Sequence, residues 1–342
     1  MKILLFVKTL ILTTLLSGAA MAELIILASP PTHLDEYYTK YIDDIVDFQV
    51  AYARQIRNAG DAVLILSNND LYDYYAEQLG KETVMRAPLS DIWMRDFTVL
   101  NTAAPVMFRY SAAGQGGNQI DADEVQEEFA ALLEEADIKL PEADLINDGG
   151  NFVDDYAGNV VLSRKFLRDN DLTEQQARAD ITALTGTRNI AFIEADEQGG
   201  LEHADGVVSF IEENTLVINS YPEDPAYARQ LKADLRRGLP GIKIIDITTA
   251  YDGSRIHDAR FGSACGLYTN ALVTPKRIYL PQFGIPEDKI ALEQVRAATT
   301  KTVIPVQSRG VCHMGGGVRC MSLQLRGDAA RKMLAYARSK QE

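Results

Sequence analysis

The chain has 342 residues, 46% of them hydrophobic and 24% charged, and a formal net charge of −14 at pH 7. That balance is ordinary for a globular protein of one large or two medium domains. So acidic a chain argues against nucleic acid and anionic lipid as partners, and in favour of either a cationic ligand or plain solubility.

Residues 1–22 carry a positive start at Lys2 and Lys8, a short apolar core from Ile11 to Leu16, and the small-residue ending Ala20-Met21-Ala22. This is the pattern of a secretory signal peptide, too short and too interrupted for a membrane span. The expectation is an exported, periplasmic or secreted protein that starts at Glu23 and has no stable membrane association after cleavage. Residues 23–342 are expected to form a single domain. Of the three cysteines, an oxidising compartment pairs two and leaves an odd thiol. The expected bridge is Cys265–Cys312, with Cys320 free.

Leu24-Ile25-Ile26-Leu27 reads as a buried strand. Tyr41, Ile45, Phe48, Tyr52 and Ile56 then recur at helical spacing up to Gly60, and 62–66 is the next strand. This α/β alternation continues. Val125, Phe129, Leu132 and Leu133 mark one helix, and Thr173 with Gln176 caps another that ends near Gly186. Further helices are predicted over 225–237, 287–298 and 328–339.

Between the helices, polar residues head apolar hairpins. Asp96 precedes strands at 97–100 and 106–110, and Asn151 precedes 152–153 and 160–163. Asp205 precedes 206–211 and 215–220, Asn270 precedes 271–274 and 277–281, and Cys320 heads a last strand. An interval of roughly fifty residues between heads suggests an internal repeat. Five such units round an axis, as propeller blades, would point all five heads into one cavity.

Cys320 follows Gly315-Gly316-Gly317, where the backbone has freedom to approach a ligand closely. A thiol at such a strand mouth is a candidate nucleophile. His203 and Asp205 are expected on one face of an extended segment, since side chains alternate along a strand. Two aspartates beside a thiol suit a planar cation better than acyl transfer, whose oxyanion needs N–H donors. Asp96 and Asp205 could grip a guanidinium while Cys320 attacks its carbon, with His203 moving the protons.

The segments Asp91-Ile92-Trp93-Met94-Arg95-Asp96, Asn147-Asp148-Gly149-Gly150-Asn151-Phe152, Glu202-His203-Ala204-Asp205, Pro281-Gln282-Phe283-Gly284 and Gly315-Gly316-Gly317-Val318-Arg319-Cys320 appear in that order. Together they resemble the motifs of the agmatine deiminase and bacterial peptidylarginine deiminase family. The resemblance implies the pentein fold, a five-bladed pseudo-symmetric α/β propeller of ββαβ-type units. It also implies hydrolysis of a guanidino group to a ureido group plus ammonia through a covalent thiouronium intermediate, with no metal and no cofactor. Carried over by motif, Cys320 is the nucleophile, His203 the acid–base residue, and Asp96 and Asp205 the guanidinium ligands. Trp93, Asn151, Asn270, Gly316 and Gly317 are candidates for substrate binding, and Arg109 for a contact to a peptide carboxylate. The implied partner is a small cationic guanidine, such as agmatine giving N-carbamoylputrescine, or an arginyl peptide. Asp148 departs from the agmatine-type pattern, which has a glutamate there.

Other readings stay open at this stage. Trp93 could fill the core or wall the cavity, Arg95 and Asp96 could be a surface ion pair, and His33 and His257 read as structural or surface residues. A zinc site from Cys265, Cys312, His313 and Cys320 is conceivable by residue type, though its spacing fits no common pattern. A non-catalytic guanidine- or partner-binding protein is the rival from another class. Amidino transfer to an amine is the rival enzyme.

Overall fold

The computed structural model describes residues 23–32, 36–100, 105–195 and 200–341. The signal-peptide segment, His33 and the turn expected at 101–104 lie outside the described residues. In chain order the strands are β1 Leu24–Ala28, β2 Ala62–Ser67, β3 Val84–Arg86, β4 Met107–Arg109, β5 Glu142–Ile146, β6 Val153–Asp154, β7 Asn159–Ser163, β8 Asn189–Ile193, β9 Val208–Glu212, β10 Thr215–Asn219, β11 Lys243–Ile247, β12 Leu272–Val273, β13 Arg277–Gln282, β14 Thr302–Gln307 and β15 Leu323–Leu325.

They form an α/β structure of small mixed sheets built on one pattern. A short strand pairs antiparallel with the next, and that one pairs parallel with a third across a helix. The pattern runs β6-β7-β8 over the helix Glu174–Thr185, β9-β10-β11 over Pro225–Gly238, and β12-β13-β14 over Glu287–Ala298. The same pattern recurs where the last strand meets the first. C-terminal β15 pairs antiparallel with β1, which runs parallel to β2 across the helix Ile42–Ala59. The remaining unit is irregular. Where two paired strands were expected after Asp96, a single bridge joins Leu100 to Val106, and β4 instead pairs parallel with β5.

The helices follow from amphipathic spacing. Ile45, Phe48, Tyr52 and Ile56 are buried along one face of Ile42–Ala59, and Gly60 ends that helix at φ +85°. The Thr173–Gln176 capping box is present. The helix Asn69–Leu79 was not predicted. Asn68 caps it, accepting from the backbone N–H of Leu71 at 3.0 Å, and its buried face is Tyr72, Tyr75 and Leu79. Among the described residues no helix is long and apolar enough to cross a membrane.

The polar heads do not sit on the strands. Asn151 ends the 3-10 turn Gly149–Asn151, and Asp205 lies within the 3-10 turn Ala204–Gly206, with His203 at its N-cap. The extended segment expected for His203 and Asp205 is therefore a tight turn. After Asn151, Asp205, Asn270 and Cys320 the apolar strand begins two or three residues later, where the ladder hydrogen bonds begin.

Candidate active site

Trp93, Asp96, His203, Asp205, Asn270 and Cys320 line one pocket, with Tyr110, Phe261 and Met314 among its other walls. The segments that carry them are tied together through their backbones. The N–H of Arg95 donates to the carbonyl of Cys320 at 2.9 Å, and the N–H of Gly150 donates to Asp96 Oδ1 at 3.0 Å. Glycine is required for that approach. A Cβ on Gly150 would stand 2.3 Å from His203 Nδ1, and one on Gly316 would stand 2.5 Å from the Trp93 ring and 2.7 Å from Cys320 Cβ.

Cys320 is buried, and its sulfur accepts from Asn270 Nδ2 at 3.0 Å. Burial pushes its thiol well above the ordinary range, and Asp205 and Asp96 add to the rise. His203 stands between two carboxylates, with Nε2 3.0 Å from Asp148 Oδ2 and Nδ1 3.8 Å from Asp96 Oδ1. Burial opposes its charge, but Asp96, Asp148 and Asp205 outweigh burial and raise His203 to about 9. Burial likewise lifts Asp96, to about 7, against the pull of His203. Asp148 is also buried, yet the hydrogen bond to His203 and the N–H of Ser111 hold its carboxyl below the usual range. Burial thus favours the neutral thiol at Cys320, while the three carboxylates favour the charged form of His203.

Several expected residues have other work. Arg109 is half-exposed and pairs with Asp123 at 2.6 Å, away from the pocket wall. Asn151 also lies outside that wall. Its Oδ1 accepts from the N–H of Ser163 at 2.7 Å and its amide donates to Asn147, so it closes its own turn onto β7. Gly315, rather than Gly316 or Gly317, lines the pocket; Gly316 is the spacer between Trp93 and Cys320. Asp205 faces the pocket, but its Oδ2 accepts from Arg319 Nε at 3.1 Å. Arg95 and Asp96 are both buried, which rules out a surface ion pair. His257 packs edge-on against Tyr37 and Tyr41.

Sequence reasoning assigned no role to Asp148, Ser111 or Arg319. Asp148 accepts from the Ser111 N–H at 2.9 Å and its hydroxyl at 2.8 Å, which aims its remaining contact at His203. Arg319 donates both to Asp205 and to the carbonyl of Phe152, at 2.9 Å. For Asp148 and Arg319 the available signal was their position, beside Gly149 and Cys320, within motifs already singled out; Ser111 lies outside those motifs.

Cys265 and Cys312 form the expected disulfide, and Cys320 is free. That bond consumes two of the thiolates the zinc alternative needs. It also joins two walls of the pocket, because Ala264 and Leu267 flank one half-cystine while Met314 and Gly315 follow the other. The N–H of Ala264 donates to the carbonyl of Cys312 at 2.8 Å. A link across a sequence separation of 47 residues restricts the unfolded chain substantially, worth about 4 kcal/mol on chain-entropy grounds. The double variant Cys265→Ser/Cys312→Ser is expected to melt about 5–10 °C below the parent in calorimetry. An unchanged melting temperature would mean the link constrains nothing.

A family model described as Porphyromonas-type peptidyl-arginine deiminase matches residues 19–325. No curated protein matches the chain by sequence. Among solved structures the chain is similar to the agmatine deiminase of C. jejuni, at 18% identity and a TM-score of 0.73, over 89% of this chain and 93% of that one. The agmatine deiminase of Enterococcus faecalis is similar at 17% identity and a TM-score of 0.68, over 89% and 93%. A dimethylarginine dimethylaminohydrolase adduct is similar at 16% identity and a TM-score of 0.53, over 89% and 100%. At these identities the structures speak to the fold alone: a mixed-sheet α/β fold shared with guanidine-modifying enzymes.

Proposed function

Because the chain belongs to the Porphyromonas-type peptidyl-arginine deiminase family, we propose that it hydrolyses the guanidino group of a small agmatine-like substrate to a ureido group plus ammonia. The observation that carries this reading is the convergence of the Cys320 thiol, imidazolium His203 and the carboxylates Asp96 and Asp205 on one pocket. A guanidinium held by the two aspartates cancels the negative field that keeps the thiol protonated, so substrate itself favours the thiolate. The hydrogen bond from Asn270 to the sulfur adds to this.

In the first half-reaction the Cys320 thiol loses its proton to solvent as the cation binds, the thiolate Sγ forms a bond to the guanidinium carbon, a tetrahedral intermediate results, and the C–N bond to one nitrogen breaks. His203 gives its proton to that nitrogen, which leaves as ammonia. The thiouronium is then attacked by water, whose proton returns to His203. The C–S bond breaks to release the ureido product and the thiol. Asp148 keeps His203 aimed throughout and favours its charged form at the start of each cycle, and Trp93 supports the flat face of the reacting group.

An agmatine-like substrate is favoured over an arginyl peptide because Arg109, the candidate for a peptide carboxylate, does not line the pocket. We further infer a single domain whose small sheets stand as five blades round an axis, with the polar heads at one end. Export is inferred from the pattern of residues 1–22, and the disulfide supports it, since such bonds persist in oxidising compartments. A substrate panel tests the activity. Ammonia release from agmatine is expected to exceed that from free arginine or C-terminal arginyl peptides by at least about tenfold in kcat/KM, a difference of about 1.4 kcal/mol. Preference for the peptide would reverse the substrate assignment, and no ammonia from any of the three would end the deiminase reading.

A further inference from the structure

Glu202 immediately precedes His203 and has φ +50°. That left-handed conformation is unfavourable for an L side chain and persists where the surroundings impose it. Here it accompanies a side chain that lines the same pocket as Cys320. Exposure grades along the pocket, from 3% for the Asp205 side chain and 9% for Asp96 to 29% for Glu202, so Glu202 stands at the mouth. Its Oε2 pairs with Arg168, whose side chain is half-exposed, and such a solvent-facing pair contributes little. The neighbouring walls, Leu201, Phe261 and Met314, are apolar, and among the described residues no lysine or arginine lines the pocket. Glu202 is therefore the charged wall residue not already engaged with the reacting group.

Resting on the deiminase reading, we propose that Glu202 is a specificity-determining residue that receives the far end of the substrate, and that this end is a primary ammonium. The apolar walls of the pocket that holds both the buried aspartates and Glu202 suit a methylene stem, giving a cation–stem–cation ligand. Free arginine would bring a carboxylate along with its ammonium, and an arginyl peptide an amide in the ammonium's place, so neither presents Glu202 with an uncompensated cation.

Calorimetric titration of Cys320→Ser protein, with and without Glu202→Gln, separates the possibilities without requiring turnover. The probes are agmatine and n-butylguanidine, which has the same guanidine and stem but no ammonium. The Glu202→Gln change is expected to weaken agmatine about tenfold and leave n-butylguanidine within about twofold. Equal losses for both ligands, or no loss for agmatine, overturn the assignment, and failure of agmatine to bind the parent overturns it together with the deiminase reading. Selective weakening of agmatine, combined with no ammonia release by the unsubstituted protein, would uphold the Glu202 assignment while removing the deiminase reading.

Discussion

Cys320→Ala protein is expected to release ammonia at least about 10³-fold more slowly than the parent while folding normally. The rate loss is large because no other group on the pocket wall can replace the sulfur. Asp96 and Asp205 are needed as anions on the substrate nitrogens, and His203 is engaged as the proton carrier. The structural effect is small because the side chain removed is short and its buried partners survive. The carbonyl of Cys320 still accepts from Arg95, and the loss in stability should stay under about 2 kcal/mol. Ammonia assay and thermal denaturation of the same preparation check both halves. Turnover within tenfold of the parent would exclude sulfur as the nucleophile.

Asp148→Asn carries the second large effect. Asp148 keeps His203 charged, both through the 3.0 Å contact at Nε2 and through its negative field. An asparagine keeps the acceptor for the Ser111 N–H but removes the charge, so the variant should fold. With one of its three carboxylates gone, His203 loses its proton at a lower pH than its present value of about 9. The imidazolium form needed to protonate departing ammonia then disappears earlier as pH rises. The alkaline limb of kcat/KM should move to lower pH, and kcat at pH 8 should fall by about 10²-fold or more. On the acid side, activity should rise with loss of the Asp96 proton near pH 7, well above an ordinary carboxylate, because the charged form grips the guanidinium. A variant that loses rate equally at every pH, with both limbs unmoved, would reduce Asp148 to a packing role.

Much of this arrangement was legible in the sequence because it depends on local patterns. The helix Glu287–Ala298 carries its buried Ala291 and Val295 at helical spacing, and the predicted bounds are those observed. The repeating hairpins announced themselves through turn residues between short apolar runs. The helix Asn69–Leu79 escaped notice because its buried positions are mostly tyrosines, which read as readily on a surface. Asp96, His203, Asp205 and Cys320 could be grouped because motif after motif placed one polar residue ahead of an apolar strand.

What could not be read was which partner each side chain takes. The 55-residue separation between Asp148 and His203 carries no periodic signal, so the pair emerges only when the 3-10 turns of two sheets meet. Arg109 and Asn151 were plausible ligands by type. Asp123, on the helix Gln119–Glu135, pairs with Arg109 on β4, and the N–H of Ser163 donates to Asn151; both satisfy these groups before any substrate arrives. Asp205 is likewise shared, one oxygen going to Arg319 from within the cysteine's own motif.

The most direct measurement is mass spectrometry of the protein quenched in acid during turnover of a guanidine substrate. The account predicts a substrate-derived amidino adduct on the peptide containing Cys320, absent from Cys320→Ala protein. Ammonia release with no adduct on that peptide, or an adduct on any other residue, would contradict it.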